Sequence, residues 1–193
     1  MIRLATVADI PAILEIYGPY ILTTTHTFEY TVPSEAAFTE RFLSYTAKCP
    51  WLVWEEDGRV VGYAYGSEPY ERAAYAWCAE VSVYLRPEAR GRGIGKKLYA
   101  VLEYILWQQG YRVIYSLITT ENEASLAFHK KLGYTTTAVF PDCGLKFGRW
   151  IGIVWMEKRS KLVNIPIQPP VPWRAVVKSD RIFQDILAIL SLS

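Results

Sequence analysis

The spacing of apolar residues changes period several times along this chain. Ile2 to Leu4 reads as a short strand. Ile10, Ile13, Leu14 and Tyr17 then recur at three- and four-residue intervals, the stripe of an amphipathic helix. Asp9 followed by Pro11 gives that helix an acidic cap and an early proline. Ser34 caps a second helix whose stripe runs through Ala37, Phe38, Arg41, Phe42 and Tyr45. Trp51 to Trp54 and Val60 to Tyr65 are strand-like runs, and the Asp57-Gly58 pair between them predicts a hairpin turn.

From Trp77 the period becomes two. Ala79, Val81, Val83 and Leu85 share one face of a predicted strand, and Cys78, Glu80, Ser82 and Tyr84 share the other, until Pro87 ends it. Past a glycine-rich turn, Ile94, Leu98, Val101, Leu102 and Ile105 predict a helix closed by Gly110. Val113 to Ile118 is a further strand, and Glu123 to Leu132 is a helix stopped by Gly133. Tyr134 to Phe140 and Trp150 to Met156 are the last two strands. The order βααβββαβαββ combines hairpins with crossover helices. It predicts an α/β fold on a mixed sheet with helices on its faces, rather than a doubly wound parallel sheet. Residues 1–159 are expected to form this domain and 160–193 an appendage. In the appendage Pro166, Pro169, Pro170 and Pro172 make a stiff connector. Ile182, Phe183, Ile186, Leu187, Ile189 and Leu190 then mark a short amphipathic helix, able to dock on its own domain or on a partner chain.

Composition narrows the classes of function. With 51% hydrophobic and 21% charged residues among 193, the chain is too apolar for wholesale disorder. A net charge of +2 gives no argument for a nucleic-acid or membrane-surface partner. No apolar run approaches the ~18 residues of a membrane helix. Arg3, Asp9 and Glu15 leave no export signal in view, so a cytoplasmic protein is expected. Cys49, Cys78 and Cys143 are widely spaced, and His26 and His129 are the only histidines. Neither a disulfide framework nor a metal centre is expected from that set.

The segment Arg90-Gly91-Arg92-Gly93-Ile94-Gly95-Lys96, between a strand and a helix, holds the most informative chemistry. Its glycines let the backbone turn tightly and aim successive N–H groups outward at the head of a helix. Those first-turn N–H groups lack intrahelical partners, and the helix dipole favours an anion such as a pyrophosphate. Arg90, Arg92, Lys96 and Lys97 add positive charge. Taken alone, the segment reads equally well as a basic solvated turn. It is not a Walker loop, because no Gly-Lys-Ser/Thr follows, and it lacks the three-glycine dinucleotide fingerprint.

Beyond the next strand comes Asn122-Glu123-Ala124-Ser125-Leu126-Ala127-Phe128-His129-Lys130-Lys131-Leu132-Gly133-Tyr134. The two motifs in this order resemble the acetyl-CoA-dependent N-acetyltransferases of the GNAT superfamily, over roughly Ile2 to Lys158. Cys49-Pro50-Trp51-Leu52-Val53, Arg72-Ala73-Ala74-Tyr75-Ala76-Trp77, Ala79 to Tyr84 and Gly144-Leu145-Lys146-Phe147-Gly148-Arg149-Trp150 are similar to the phosphinothricin and methionine-sulfoximine acetyltransferase branch. The resemblance implies a mixed, mostly antiparallel twisted sheet splayed between its fourth and fifth strands, with helices on both faces and acetyl-CoA wedged in the gap. It also implies a homodimer.

Roles come with the resemblance. Val83, Tyr84 and Leu85 would offer backbone groups to the pantetheine arm, and Gly91, Arg92, Gly93, Ile94, Gly95 and Lys96 would hold the pyrophosphate. Asn122 and Ser125 would flank the cofactor, although Asn122 also reads as a plain helix cap. Glu80 is the implied base, its alternative being a strand glutamate paired with Arg72 or Lys146. His129 stands where many relatives carry a tyrosine that protonates the departing thiolate. An imidazole titrating near neutrality could donate that proton, and the alternative is a structural histidine. Phe28, Arg72, Tyr75 and Lys146 are expected around the acceptor. Phe28-Glu29-Tyr30-Thr31 departs from the branch's usual pattern, which leaves small L-amino acids or analogues with a free α-amine as the expected acceptors. Two further readings stand beside this one: acetylation of a protein N-terminus or lysine, and a non-catalytic acyl-CoA-binding regulatory module.

Overall fold

The computed structural model describes residues 1–161 and 168–177. Seven strands, β1 (Ile2–Leu4), β2 (Trp51–Glu56), β3 (Arg59–Ser67), β4 (Cys78–Leu85), β5 (Val113–Thr119), β6 (Thr135–Lys146) and β7 (Arg149–Arg159), form one sheet in the order β1-β2-β3-β4-β5-β7-β6. Every neighbouring pair is antiparallel except β4–β5. The helices are α1 (Ile10–Thr23), α2 (Glu35–Thr46), α3 (Ile94–Gln109), α4 (Glu123–Lys131) and a short α5 (Trp173–Val177).

The period-two and period-3.6 stripes meet in two apolar layers. On one side of the sheet α1 and α2 bring Ile13, Ile16, Phe38 and Phe42 onto Trp51, Val53 and Tyr63. On the other, Leu98, Leu102 and Ile105 of α3 pack on Leu52, Ala64 and Val81. Each such side chain, fully withdrawn from water, contributes about 1.5–3 kcal/mol. The β2–β3 turn places Asp57 and Gly58 at φ 49° and 76°, the left-handed pair that a two-residue hairpin requires.

Three details differ from expectation. Asp9 does not cap α1 with its side chain. Its carboxylate instead accepts from the Thr6 N–H at 2.8 Å and from the Arg3 guanidinium at 2.8 and 2.7 Å, so it closes the single 3-10 turn that precedes the helix. Strand β6 does not stop at Phe140. Pro141 and Asp142 are absorbed in a bulge with Asp142 at φ 50°, and pairing resumes from Gly144 to Lys146. Gly152 on β7 makes room for it, because a Cβ there would lie 2.9 Å from the Phe140 carbonyl oxygen. The proline-rich connector contains helix α5, whose Trp173 and Val176 are buried in the same core as α3. Pro166 and the apolar stripe at 182–190 lie outside the described residues.

Candidate active site

Strands β4 and β5 pair through only three residue couples, Cys78–Val113, Ala79–Ile114 and Glu80–Tyr115. Beyond them β4 stays with β3 and β5 stays with β7, so the two strands part and a cleft opens. A cavity of ≈ 300 Å³ fills that opening. Val81 to Leu85 form one wall and Ser116 to Ile118 the other. Asn122, Ser125, Phe128 and His129 come from the start and inner face of α4, and Gly95 and Tyr99 from α3. The splay expected between the fourth and fifth strands is therefore present, and its first open position is Val81 opposite Ser116.

The phosphate-loop residues sit at the head of α3. Gly91 and Gly93 hold φ 72° and 78°, where a side chain is strained. A Cβ at either would meet nothing within 4 Å, so the space above them is open to an approaching anion. The first intrahelical bond runs from the Lys97 N–H to the Gly93 oxygen, which leaves the N–H groups of Ile94, Gly95 and Lys96 to an outside acceptor. These features fit a diphosphate. Arg92 is occupied instead by a bidentate pair with Glu56 at 3.0 and 2.9 Å. Arg90 lines the cavity, with its guanidinium 5.1 Å from the centre of the Tyr20 ring.

Along the wall, Val83 and Tyr84 line the cleft as expected. Leu85 also lines it, but its backbone is already engaged: Tyr20 Oη donates to the Leu85 oxygen at 2.7 Å and accepts from its N–H at 3.3 Å. Asn122 serves two ends, because its side-chain oxygen caps α4 through the Ser125 N–H at 3.1 Å while it lines the cavity.

His129 lines the cleft in surroundings that disfavour its imidazolium form. It is 2% exposed, and burial pushes its pKa from 6.5 down to about 4 although a bond to the Ser125 carbonyl partly opposes the shift. Nδ1–H donates to that carbonyl at 2.8 Å, so Nε2 carries the lone pair. It faces the hydroxyls of Ser116 at 2.9 Å and Tyr99 at 3.0 Å. Burial therefore favours the neutral imidazole, whose Nε2 accepts hydrogen bonds, over the imidazolium form. The unfolded chain protonates His129 near pH 6.5 and the folded one only near 4. The native state therefore loses stability as pH falls through that window, by roughly 3 kcal/mol for this residue alone. Chemical denaturation at pH 7 and pH 4.5 should show the loss, and His129→Gln should shrink it. His26, whose pKa burial also lowers, retains a part.

Glu80 lies at the last β4–β5 couple, on the face away from α3. Burial raises its pKa. Among the described residues nothing hydrogen-bonds or ion-pairs with its carboxylate, so the expected alternative, a glutamate tied to Arg72 or Lys146, is not what the fold builds. Lys146 is 1% exposed and donates to the Thr27 carbonyl at 2.6 Å. Phe28 lies over Gly144, where a Cβ would come within 2.4 Å of its ring. Tyr75 packs against Tyr70 with ring centres 4.5 Å apart and the rings tilted by 37°, and Arg72 is exposed nearby in the chain. The four expected acceptor residues thus fall into two pairs, Phe28 with Lys146 and Arg72 with Tyr75, and none of them lines the cavity. Sequence reasoning did not single out Tyr20, His26, Tyr99 or Ser116 for the cleft. Tyr99 and Ser116 sit at core positions of α3 and β5, and only the splay turns those positions into a wall.

Comparison with known proteins places this geometry. An acetyltransferase (GNAT) domain family matches residues 2–155. A phosphinothricin N-acetyltransferase of Alcaligenes faecalis is 36% identical over 162 residues, covering 81% of this chain and 81% of that protein. An L-methionine sulfoximine/L-methionine sulfone acetyltransferase of Salmonella typhimurium is 36% identical over 161 residues, covering 81% and 92%. A crystal structure of a GNAT superfamily phosphinothricin acetyltransferase from Sinorhizobium meliloti in complex with acetyl-CoA superposes with a TM-score of 0.84 at 36% identity, covering 89% of this chain and 95% of that one. A family match over most of the chain, joined to a cleft that opens at the same point in the sheet as the glycine loop requires, means that the chain belongs to the GNAT acetyltransferases and is an N-acetyltransferase that uses acetyl-CoA.

Proposed function

We propose that this enzyme acetylates the free α-amine of a small L-amino acid or amino-acid analogue, of the phosphinothricin and methionine sulfoximine or sulfone class, by direct attack in a ternary complex. The observation that carries the proposal is Glu80, a half-buried carboxylate without a cationic partner at the rung where the cleft opens. The names of the relatives support the acceptor class.

Acetyl-CoA supplies the acetyl group as a thioester. Gly91, Gly93, Ile94, Gly95 and Lys96 hold its diphosphate, with Arg90 in place of the Glu56-bound Arg92. Val83 and Tyr84 present backbone to the pantetheine arm, and Asn122 and Ser125 flank it. Glu80 takes the proton of the acceptor ammonium. A backbone N–H near Val81 to Val83 polarises the carbonyl, and alignment of the two substrates supplies much of the acceleration. His129 orients the Tyr99 and Ser116 hydroxyls, so the proton for the departing sulfur comes through a hydroxyl. Arg72 makes no ion pair among the described residues and meets the acceptor's carboxylate. Lys146 ties down the Thr27–Phe28 loop, which makes it a positioning residue.

The enzyme is proposed to be a cytoplasmic homodimer. Acetyl-CoA dependence and three free thiols support the compartment. The dimer rests on edge strand β6 and its hairpin to β7, which expose Val139, Phe140 (49%), Phe147 and Trp150 (62%). Light scattering should read twice the 22.1 kDa of one chain. The acceptor class is tested by thiol release from acetyl-CoA with free amino acids, methionine sulfone, methionine sulfoximine and phosphinothricin, against lysine-bearing and free-N-terminus peptides. Turnover confined to the small molecules is expected. Turnover confined to the peptides would replace the proposal by protein acetylation.

A further inference from the structure

The family match ends at residue 155, yet Gln168 to Val177 are built into the domain. Trp173 is 8% exposed, and its indole N–H donates to the Thr46 carbonyl at the end of α2 at 2.8 Å. Arg174 donates to the same oxygen at 3.0 Å. The Val171 N–H donates to the carbonyl of Gln109, the last residue of α3, at 2.8 Å, and the Gln109 side-chain amide returns a bond to the Val171 carbonyl at 2.9 Å. The fourth tie is the one that bears on the chemistry. The Trp77 indole N–H donates to the Gln168 carbonyl at 2.8 Å, and Trp77 immediately precedes β4.

Trp77 sits at the apex of the cleft. Its carbonyl accepts from the Arg112 N–H at 2.8 Å, just ahead of the three couples that join β4 to β5. β4 stays paired to β3 and β5 to β7 along their lengths, so these three couples are the junction between the two halves of the sheet, and the splay of the halves depends on what fixes that junction. Glu80 is the last of the three couples.

We propose that residues 168–177 are a positioning strap for acetyl transfer. By gripping Trp77 and the ends of α2 and α3 from outside the sheet, the strap sets the splay of the β4–β5 junction at which Glu80 lies, next to the first cleft-lining residue Val81. This rests on the reading of Glu80 as the base.

The test is a kinetic cycle on the full chain. Trp77→Phe keeps one aromatic ring and removes the N–H to Gln168 together with the indole's second ring, and Trp173→Ala releases the strap's anchor. Trp77→Phe should lower kcat about fivefold, the loss set by one hydrogen bond, with the KM for acetyl-CoA within about twofold of wild type. It should also shift the acid limb of the pH–rate profile. On a Glu80→Gln background the same substitution should change kcat by less than about twofold, because the group it positions is gone. An unchanged kcat and pH limb in Trp77→Phe would overturn the strap, as would an undiminished fivefold loss on the Glu80→Gln background. Should Trp173→Ala fail to fold, Trp77→Phe decides alone. A Glu80→Gln enzyme with wild-type rate would overturn the base assignment and the strap's role with it, whereas a slow Glu80→Gln enzyme beside an unaffected Trp77→Phe would overturn the strap alone.

Discussion

Gly93→Glu should abolish measurable binding of acetyl-CoA, with affinity falling on the order of 100-fold or more by titration calorimetry. Two effects add. At φ 78° any side chain strains the backbone by about 1–2 kcal/mol, and a carboxylate at the head of α3 sets a negative charge against the diphosphate and the helix dipole. Gly93→Ala separates them. A Cβ at this position meets nothing within 4 Å, so that variant carries the strain without the charge and should keep binding with a far smaller loss. Equal losses in the two variants would mean that backbone geometry alone matters there, and undiminished affinity in Gly93→Glu would take the diphosphate away from the loop.

Glu80→Gln should lower kcat by about 10²- to 10⁴-fold, the range for a positioned acid or base. Wild-type kcat/KM should fall as pH drops through the Glu80 pKa, which burial lifts above the usual carboxylate range, and the variant should lose that limb. Stability moves the other way. A carboxyl whose folded pKa is raised is stabilising only while protonated, and it costs stability once pH rises through the folded value. The glutamine variant should therefore unfold at the same or a higher temperature than wild type at neutral pH. Lost activity with retained or increased Tm separates a catalytic role from a structural one.

Much of the fold was legible because periodicity and punctuation agree. Asp57-Gly58, Gly110 and Gly133 each take the left-handed conformation that the turn or helix end needs, and the alternation from Cys78 to Leu85 became β4. What the residues hid was tertiary. Pro141 and Asp142 look like a strand end, and only Gly152 on the neighbouring strand reveals that β6 can bulge past them. Asp9 has the composition of a helix cap, but Arg3, six residues upstream on β1, claims its carboxylate. In the site, the turn-forming glycines before α3 and the cap at Asn122 could be read from spacing, whereas their cofactor roles come only with the family resemblance. The charge state of His129 could not, since it depends on burial and on the Ser125 carbonyl one helical turn away. The same holds for Lys146, whose place in the sequence suggested an open cation and whose place in the fold is a sealed one.

Initial-rate kinetics with both substrates varied tests most directly whether this cleft joins an acetyl thioester to an amino acid's amine without a covalent enzyme intermediate. The account predicts double-reciprocal lines that intersect, with one N-acetyl amino acid formed for each coenzyme A released. Parallel lines, or saturable acetyl-CoA binding with no product from any amino acid supplied, would contradict it.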